Sequence, residues 1–451
     1  MSELTAAGRP GRGADPRPNI LLLHWHDLGR NLGCYGVPGV VSPRLDALAG
    51  EGMRFDRAFC ASPLCTPARG SIFTGRYPHS NGLIGLVPQG WAYHEGERTL
   101  PMLLREHGYH TALIGQQHES HRPETLGFDE LRLVEGWQTY DRVEPLAVDF
   151  LRGTGRGDRP FFASVGLFEV HRLGRDHYPA NRYPPIDEAA VEVPAFLEDC
   201  AETRGDLVSF YGAIRAADAA VGRVLDALDG AGLRDNTWVI FTTDHGMAFP
   251  GAKSTLYDPG IGVSLLMRWP GRLPAGLTSD AMLSHVDLVP TVLDALALDI
   301  PDNVQGLSVW PALASPDVDA PRTHVFAERT YHGTDYDPMR AVRTTEYKYI
   351  RNYTPGLPPP MPDDVRSSDS AVRLPRRLRT PRPAEELYDL ESDPEEHRNL
   401  AAQGEFEPVR AELAGRLEDW MRTTRDPLLR GPIPSPVARA VASQPVMKTT
   451  K

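Results

Sequence analysis

The sequence predicts an α/β domain with a mostly parallel sheet flanked by helices, followed by a smaller C-terminal α+β subdomain. Short continuous apolar runs alternate with helical segments over about 300 residues, and this pattern changes after residue 317. Continuous apolar runs are typical of strands that are buried on both faces of a parallel sheet. Their alternation with helices is typical of α/β domains, in which helices cover the sheet.

Five apolar runs predict the strands of this sheet. They are 19–23, 111–114, 161–165, 238–241 and 263–267. Polar side chains follow the first four runs: His26 and Asp27, then His118, then His171, then Asp244 and His245. Ligands of such sheets bind beyond the carboxyl ends of the strands. The recurrence of polar groups at these positions therefore predicts one composite site.

Helices are predicted between the strands. Residues 42–50 begin with a Ser-Pro pair and end at a glycine, which is a typical helix start and stop. Residues 100–107 end before Gly108, and the longest helix is predicted over 206–228 from its apolar residues at helical spacing. Asp218 interrupts that apolar stripe, and we interpret it as a capped or edge residue.

The C-terminal part has a different pattern. Residues 339–343 and 347–351 alternate as two strands of a hairpin, 355–383 are rich in Pro and Arg and predict a long loop, and Glu407–Thr423 predicts a closing helix. We therefore divide the chain into four parts. They are a flexible arm (1–17), the α/β domain (18–317), the α+β subdomain (318–430) and a disordered tail (431–451).

Composition excludes several classes of function. The chain has 451 residues with 48 Lys+Arg against 60 Asp+Glu, and its net charge of −12 argues against a nucleic-acid partner. No apolar run is long enough to span a membrane, and the first residues lack the apolar segment of a secretory signal peptide. Four cysteines are too few for a disulfide scaffold. We therefore expect a cytoplasmic protein without a membrane partner.

One cysteine lies in a motif that carries chemistry. Cys65-Thr66-Pro67-Ala68-Arg69 is followed by Thr74-Gly75-Arg76. Pro67 suits the first turn of a helix, so residue 65 would lie at the positive end of the helix dipole with Arg69 one turn along. This environment favours an anion. Cys34, Cys60 and Cys200 lie in no such motif, and we interpret them as structural residues.

The two motifs resemble the signature of the formylglycine-dependent sulfatases, which belong to the alkaline phosphatase superfamily. The resemblance implies an alkaline-phosphatase-like sheet. It also implies that Cys65 is oxidised by a formylglycine-generating enzyme to formylglycine, whose hydrated aldehyde is the nucleophile. Arg69 would stabilise the modified residue. The expected activity is hydrolysis of a sulfate ester or sulfamate on a small molecule or saccharide.

Other segments carry the resemblance along the chain. Residues 19–36 and 241–246 resemble the two metal loops of the family, and 285–291 and 386–400 resemble its structural signatures. Further runs resemble the heparan N-sulfatase (sulfamidase) branch: Phe249-Pro250-Gly251, Lys253, Leu256-Tyr257, Pro259-Gly260, Val170-His171-Arg172 and 338–342. These runs favour a sulfated amino sugar as substrate. The alternative, that they record common ancestry of the fold only, stays open.

A metal site is predicted at Asp27 and Asp244. Both carboxylates follow apolar strands, and a divalent cation would neutralise the charge that develops during sulfate transfer. The resemblance adds His245 and the hydroxyl of modified Cys65 as ligands, and it indicates calcium. His26 stands where the family usually carries a second Asp. If His26 is a ligand, the imidazole shifts preference towards other divalent ions such as Mg or Mn; if it lies behind the ligands, it does not.

The remaining site residues are assigned by the same resemblance. His118 matches the proton partner of the formylglycine, His171 matches the residue that binds or protonates the leaving group, and Lys253 matches the sulfate-binding lysine. Gln116 stands where the family usually has Lys, so it brings hydrogen bonds to the substrate but no charge.

Three other functions fit parts of this sequence. The same site chemistry suits a phosphonate monoester or phosphodiester hydrolase. Gln116 and His26 would suit a catalytically weak binding protein, although Cys65 and Arg69 argue against it. A thiol-dependent enzyme that uses unmodified Cys65 is disfavoured because no His lies at a spacing that suggests a dyad.

Overall fold

The computed structural model describes residues 17–136, 139–153, 159–173, 177–315 and 318–436. The predicted arm, except residue 17, lies outside these ranges, and so do residues 437–451 of the predicted tail and the predicted boundary at 317. The four-part division of the chain therefore stays a prediction. Among the described helices none is long and apolar enough to cross a membrane. The cytoplasmic location also stays a prediction.

Strands and helices alternate in the order that the sequence predicts. The strands are β1 (Asn19–Trp25), β2 (Met53–Phe55), β3 (Ala58–Phe59), β4 (His110–Gly115), β5 (Glu130–Leu133), β6 (Phe161–Gly166), β7 (Thr237–Thr243), β8 (Leu265–Arg268), β9 (Leu277–Ser279), β10 (Leu283–Ser284), β11 (His324–His332), β12 (Asp335–Thr344), β13 (Tyr347–Asn352) and β14 (Glu385–Asp389).

The α-helices begin and end within a few residues of their predicted positions where a prediction was made. They are α1 (Pro43–Glu51), α2 (Cys65–Thr74), α3 (Pro78–Asn81), α4 (Leu100–Glu106), α5 (Tyr140–Arg152), α6 (Ala201–Gly230), α7 (Asp258–Ile261), α8 (Leu288–Ala295), α9 (Trp310–Ala314), α10 (Asp363–Arg366), α11 (Arg376–Arg379) and α12 (Glu407–Thr423). The predicted loop 355–383 thus contains two short helices, α10 and α11.

An eight-stranded sheet forms the centre of the protein. Its strand order is β5-β4-β6-β1-β7-β8-β2-β9, and all neighbours are parallel except the pairs that β8 makes with β7 and β2. The mostly parallel sheet is therefore confirmed. The apolar run 263–267, which we predicted among the parallel strands, forms β8 and pairs antiparallel. The chain returns to β7 through a loop and the four-residue α7, without the long helix that a parallel crossover usually contains.

β1 shows why these strands are apolar along their whole length. Ile20 and Leu22 pack into a core with α2, α4 and α8, whereas Leu21, Leu23 and Trp25 pack into a second core with α1, α5 and α6. Each face of the strand is therefore covered, and each buried leucine contributes about 1.5–3 kcal/mol to the free energy of unfolding. The strand at the sheet centre is held firmly on both sides.

The C-terminal part is a four-stranded antiparallel sheet in the order β11-β12-β13-β14, with α12 packed against it. The predicted hairpin is confirmed as β12 and β13. This sheet is not isolated, because Val325, Met339 and Ile350 share a core with the central sheet. The segment that follows β13 is thereby brought over the carboxyl ends of the parallel strands.

Asp218 on α6 has a structural role. Its two carboxylate oxygens accept hydrogen bonds from the backbone N–H groups of Arg44 (3.1 Å) and Leu45 (2.8 Å) at the start of α1. Ser42 occupies the position before α1 but makes no side-chain cap there. Asp218 therefore caps the neighbouring helix, and its interruption of the apolar stripe of α6 is explained.

Candidate active site

The predicted site residues come from neighbouring strands. β4, β6, β1 and β7 lie side by side and parallel, so the segments that follow them meet at one edge of the sheet. α2 begins at the same edge. This arrangement brings together Cys65, His26, Asp27, His118, His171, Asp244, His245 and Lys253.

Cys65 is the first residue of α2 and is only 4% exposed. Its Sγ lies 3.4 Å from Nε2 of His245. Burial raises the pKa of the Cys65 thiol well above its usual range, although Lys253 and Arg69 act in the opposite direction. The unmodified thiol therefore stays protonated at neutral pH and is a poor nucleophile.

Arg69 lies one turn further along α2 and is buried against the sheet. Its guanidinium contacts Nδ1 of His24 at 2.7 Å, and its Nε lies 3.5 Å from Oδ2 of Asp244. Burial and the charge of Arg69 hold the pKa of His24 well below its usual range, so this imidazole is neutral. Oε1 of Glu119 lies 3.6 Å from the guanidinium. Sequence reasoning gave no role to His24, although it lies within the segment 19–36 that resembles a metal loop, and it missed Glu119, which lies outside the quoted motifs.

Asp27 and Asp244 form the centre of the site. Asp27 has a φ of +53°, an uncommon conformation for a residue other than glycine. In this conformation the Asp27 backbone N–H donates to Oδ1 of Asp244 (2.9 Å), which also accepts from the backbone N–H of His245 (2.8 Å). Strained backbone of this kind is held in place by its surroundings and is frequent at active sites.

His26 lies beside these carboxylates. Its Nδ1 is 2.8 Å from Oδ2 of Asp244, and its ring packs against those of His118 and Phe168 at centroid distances of 4.9 and 4.7 Å. Burial and the charge of Arg69 hold the pKa of His26 well below its usual range. The imidazole is therefore a neutral donor of lone pairs, which is the form that binds metals.

These side chains fit a divalent metal ion. His26, Asp27, Cys65 and Asp244 each offer a ligand atom, and the four atoms lie within 4.8 Å of one another. Nε2 of His26 and Oδ1 of Asp27 are buried and have no hydrogen-bond partner within the described ranges. The Nδ1 of His245 lies 2.9 Å from the Gly246 carbonyl, which leaves its Nε2 3.2 Å from Asp27 Oδ1. Buried polar atoms without partners are costly, and a cation would satisfy them.

Lys253 is 1% exposed and lies among three partners. Its Nζ is 2.7 Å from Oδ2 of Asp27, 2.7 Å from Oδ2 of Asp364 and 3.2 Å from Nε2 of His171. Burial opposes the charge, but the two carboxylates raise the pKa of Lys253 well above its usual range. The ammonium group is therefore a permanent positive charge at the site.

His118 and His171 both line the site and both have lowered pKa values. Burial, together with Arg69, lowers the pKa of His118 to about 3, and burial with Lys253 lowers that of His171. The Nδ1 of His171 lies 2.6 Å from the carbonyl of Arg172, so that Nε2 faces Lys253. Both imidazoles are neutral at pH 7 and can accept a proton.

Arg172 supports this loop and does not line the cavity. Its guanidinium forms two hydrogen bonds with the Asp206 carboxylate (2.6 and 2.7 Å) and packs over the Phe249 ring at 4.3 Å. The runs at 170–172 and 249–251 thus contact each other. Arg172 thereby connects the loop that carries His171 to the segment at residue 249 and to α6.

Gln116 lies apart from the cavity. Its side-chain amide donates hydrogen bonds to the backbone carbonyls of Val134 (2.9 Å) and Gly136. The structure therefore does not bring Gln116 together with the other predicted site residues, and its role in substrate binding stays a prediction.

A cavity of about 630 Å³ opens over the site. Its lining includes Cys65, His118, His171 and Lys253 from the α/β part and His332, Asp335, Asp363, Asp364 and Arg366 from the C-terminal part. Sequence reasoning missed the second group. The acidic pair Asp363-Asp364 in the Pro- and Arg-rich stretch was the only signal available for it, and such pairs are common on surfaces.

The chain is similar to known proteins over most of its length. A family model described as Sulfatase matches residues 18–298, and one described as N-sulphoglucosamine sulphohydrolase, C-terminal, matches residues 245–356. N-sulphoglucosamine sulphohydrolase of Homo sapiens is 30% identical over 93% of this chain and 92% of its own. An ulvan-active sulfatase of Formosa agariphila is 28% identical over 91% and 76%.

A solved structure shares the fold. It is that of a protein in complex with its substrate D-glucosamine-2-N,6-O-disulfate, which superposes with a TM-score of 0.71 at 21% identity over 92% of this chain and 99% of its own. The resemblance that began with Cys65 and Arg69 thus extends over most of the chain. The chain belongs to the sulfatase family and is a sulfuric ester or sulfamate hydrolase.

Proposed function

We propose that this sulfatase removes sulfate from an amino sugar, with residue 65 as formylglycine and one divalent metal ion at the site. The observation that carries the proposal is the convergence of Cys65, Lys253 and His171 on one cavity. A nucleophile position, a fixed positive charge and a proton carrier are the groups that sulfate transfer needs. The likeness to a sulphoglucosamine sulphohydrolase over almost the whole chain supports the sugar class.

Residue 65 is suited to modification. Its thiol is buried and held protonated, so the unmodified residue offers little nucleophilic power. A formylglycine at this position would supply, as the hydrated aldehyde, an oxygen nucleophile for attack on sulfur. A formylglycine-generating enzyme is therefore a partner during maturation. Burial of the thiol also argues against a thiol-dependent enzyme, although His245, whose Nε2 lies 3.4 Å from Sγ, is a histidine neighbour that the sequence spacing did not predict.

His26, Asp27, Asp244, His245 and the oxygen of modified residue 65 would hold the metal. A divalent ion supplies charge neutralisation for the nucleophile and the sulfuryl group. Calcium is the ion that family membership favours. The imidazole of His26 in place of a carboxylate lowers the negative charge of the site, which favours Mg or Mn more than an all-oxygen site would.

Lys253, His171 and His118 bind the sulfuryl group and transfer protons. The Lys253 ammonium, fixed by Asp27 on one side, attracts the sulfuryl oxygens that enter from the cavity. Nε2 of His171, 3.2 Å from Lys253, can carry a proton to the leaving nitrogen or oxygen. His118 is the neutral base beside residue 65.

Two measurements on the purified protein test this proposal. Peptide mass spectrometry of residue 65 should show the mass loss of the cysteine-to-formylglycine conversion. Turnover should then be compared on N-sulfoglucosamine, on O-sulfated sugars and on phenyl phosphonate as the matched phosphorus substrate. Faster turnover of the phosphonate would favour the phosphonate hydrolase, and an unmodified thiol without turnover would favour a binding protein.

A further inference from the structure

The lining of the cavity has two parts of different charge. One part, which we call the inner end, carries Lys253, His118 and His171 next to residue 65. The other part, which we call the outer wall, carries Asp335, Asp363 and Asp364, all from the C-terminal part. Arg366 is the one arginine or lysine that lines this wall among the described residues, and it lies 3.9 Å from the Asp363 carboxylate. Carboxylates therefore line part of a cavity that we expect to bind an anion.

Asp364 is the carboxylate of this wall that reaches the inner end. Its Oδ2 lies 2.7 Å from Nζ of Lys253 and 3.9 Å from Nε2 of His171, while its Oδ1 accepts the backbone N–H of Val365 at 3.0 Å. The side chain is 18% exposed, so part of it faces the open cavity. Burial opposes its charge, but Lys253 and His171 hold the pKa of the Asp364 carboxyl well below its usual range.

A permanent carboxylate here does not help to bind sulfate. It lies beside the lysine that attracts the sulfuryl group, and like charges repel at such distances. An ionised carboxylate only accepts hydrogen bonds, and it can accept several at once. It is therefore suited to the part of the substrate that carries donors. A sugar carries hydroxyl or amino groups on the carbons that flank the sulfated position, whereas a simple aryl sulfate does not.

We propose that Asp364 is a specificity-determining residue, which accepts a hydrogen bond from a hydroxyl or amino group beside the sulfate of the substrate. This inference rests on the proposed function and deepens it. Asp364 lies outside every motif that forms the nucleophile and metal site, because it comes from α10 in the Pro- and Arg-rich stretch. The residue that selects the leaving group therefore lies in a different part of the chain from the residues that act on sulfur.

The experiment compares two substrates in three enzymes. The substrates are N-sulfoglucosamine and nitrophenyl sulfate, and the enzymes are the wild type, Asp364→Asn and Asp369→Asn. Asp369 is an exposed aspartate five residues further along the same stretch and does not line the cavity, so it is the matched control. The readout is the ratio of the two kcat/KM values, sugar over aryl sulfate. Asparagine keeps the shape and one acceptor for Lys253.

We expect Asp364→Asn to lower this ratio about tenfold or more, which corresponds to a lost hydrogen bond to a charged group. Asp369→Asn should leave the ratio unchanged. Asp364 also lies near His171, so its loss could lower the ratio through positioning alone. In that case Asp364→Asn would stay as sensitive as the wild type to methylation of the hydroxyl groups beside the sulfated carbon, which overturns the proposal. A constant ratio overturns it too. If the carboxylate only competes with sulfate, both kcat/KM values rise together, which overturns it as well.

The wild-type enzyme offers a second test that does not depend on folding of the variant. Methylation of the hydroxyl groups that flank the sulfated carbon should lower kcat/KM about tenfold, and equal values for the methylated and free sugars would refute the role of Asp364. A wild type that cleaves nitrophenyl sulfate but no sulfated sugar would instead refute the proposed substrate class. The two failures are therefore distinguishable.

Discussion

Nδ1 of His26 lies 2.8 Å from Oδ2 of Asp244, so an imidazole stands directly against a carboxylate of the predicted metal site. Because position 26 carries an imidazole where the family pattern has a second aspartate, the site has one negative charge fewer. It explains how Asp244 is accommodated in a fully buried site. It also leads to a test of metal preference.

Replacement of His26 by Asp should make the protein more dependent on calcium. Two adjacent carboxylates repel each other without a cation, so His26→Asp should lower Tm in the presence of a chelator. Added Ca²⁺ should then raise Tm more in the variant than in the wild type, because the site gains an oxygen ligand. Thermal unfolding with chelator, Ca²⁺ or Mn²⁺, together with elemental analysis, measures this. An equal response to Ca²⁺ in both proteins would contradict it.

Cys65→Ala and Cys65→Ser should both reduce sulfatase turnover to below a few per cent of the wild type. Alanine has no group that can be oxidised to the aldehyde, and serine lacks the thiol on which a cysteine-specific maturation enzyme acts, whereas both small residues fit the first position of α2. Turnover of nitrophenyl sulfate measures the loss, and circular dichroism with Tm checks the fold. Cys200→Ala, at a cysteine outside the cavity, is the control and should keep turnover. Substantial activity in Cys65→Ala would exclude residue 65 as the nucleophile.

His171→Ala should depress turnover of N-sulfoglucosamine far more than turnover of nitrophenyl sulfate. An amine leaves poorly unless it is protonated, and loss of a general acid costs about 10²–10⁴-fold, whereas nitrophenolate leaves without a proton. The matched control is His177→Ala, at a half-buried histidine outside the cavity lining whose Nε2 lies 3.1 Å from the Ser367 carbonyl. Equal losses of turnover on both substrates would show that His171 is not the proton carrier.

Asp218 should make stability depend on pH between about 4 and 6. Burial raises the pKa of its carboxyl to about 6, so the folded protein holds a proton that the unfolded chain has already released. Its contribution to stability is therefore complete below pH 4 and is lost as pH rises through 6.

Asp218→Asn lacks this titration. From pH 4 to pH 7 the free energy of unfolding of the wild type should therefore fall relative to the variant by about 2 kcal/mol. Urea denaturation at several pH values measures the difference. Asp226→Asn, at an exposed residue of the same helix, is the control, and its difference from the wild type should stay level. A level difference for Asp218→Asn would show that the carboxyl does not titrate in this range.

Much of the fold could be predicted because the parallel strands are buried on both faces. That burial gives continuous apolar runs, and the segments after the strands at Asp27 and Asp244 meet at one sheet edge by geometry alone. The direction of β8 could not be predicted, since a doubly buried strand has the same pattern in either direction. The direction of β8 depends only on the segment that connects it to β7, and the sequence of that segment has no regular hydrophobic pattern.

Some site residues could likewise be predicted from the sequence and others could not. Residues that follow central strands could be placed from the sequence, and so could Cys65 at the start of a helix. Asp364 and His332 could not, because they reach the cavity through packing of the C-terminal sheet on the central sheet. That contact is between residues far apart in the chain and leaves no local pattern. Asp218 was anticipated as a capped or edge residue, but the helix that it caps became visible only in the structure.

The position of β1 at the sheet centre affects how the enzyme should fail on heating. His26 and Asp27 follow a strand that is paired on both sides, whereas Asp364 lies on a four-residue helix in a stretch with few regular elements. Short peripheral elements open at lower free-energy cost than central strands. On heating, the enzyme should therefore lose its selectivity between substrates at a lower temperature than its turnover. A warmed enzyme would first accept poorer substrates and only later lose its turnover.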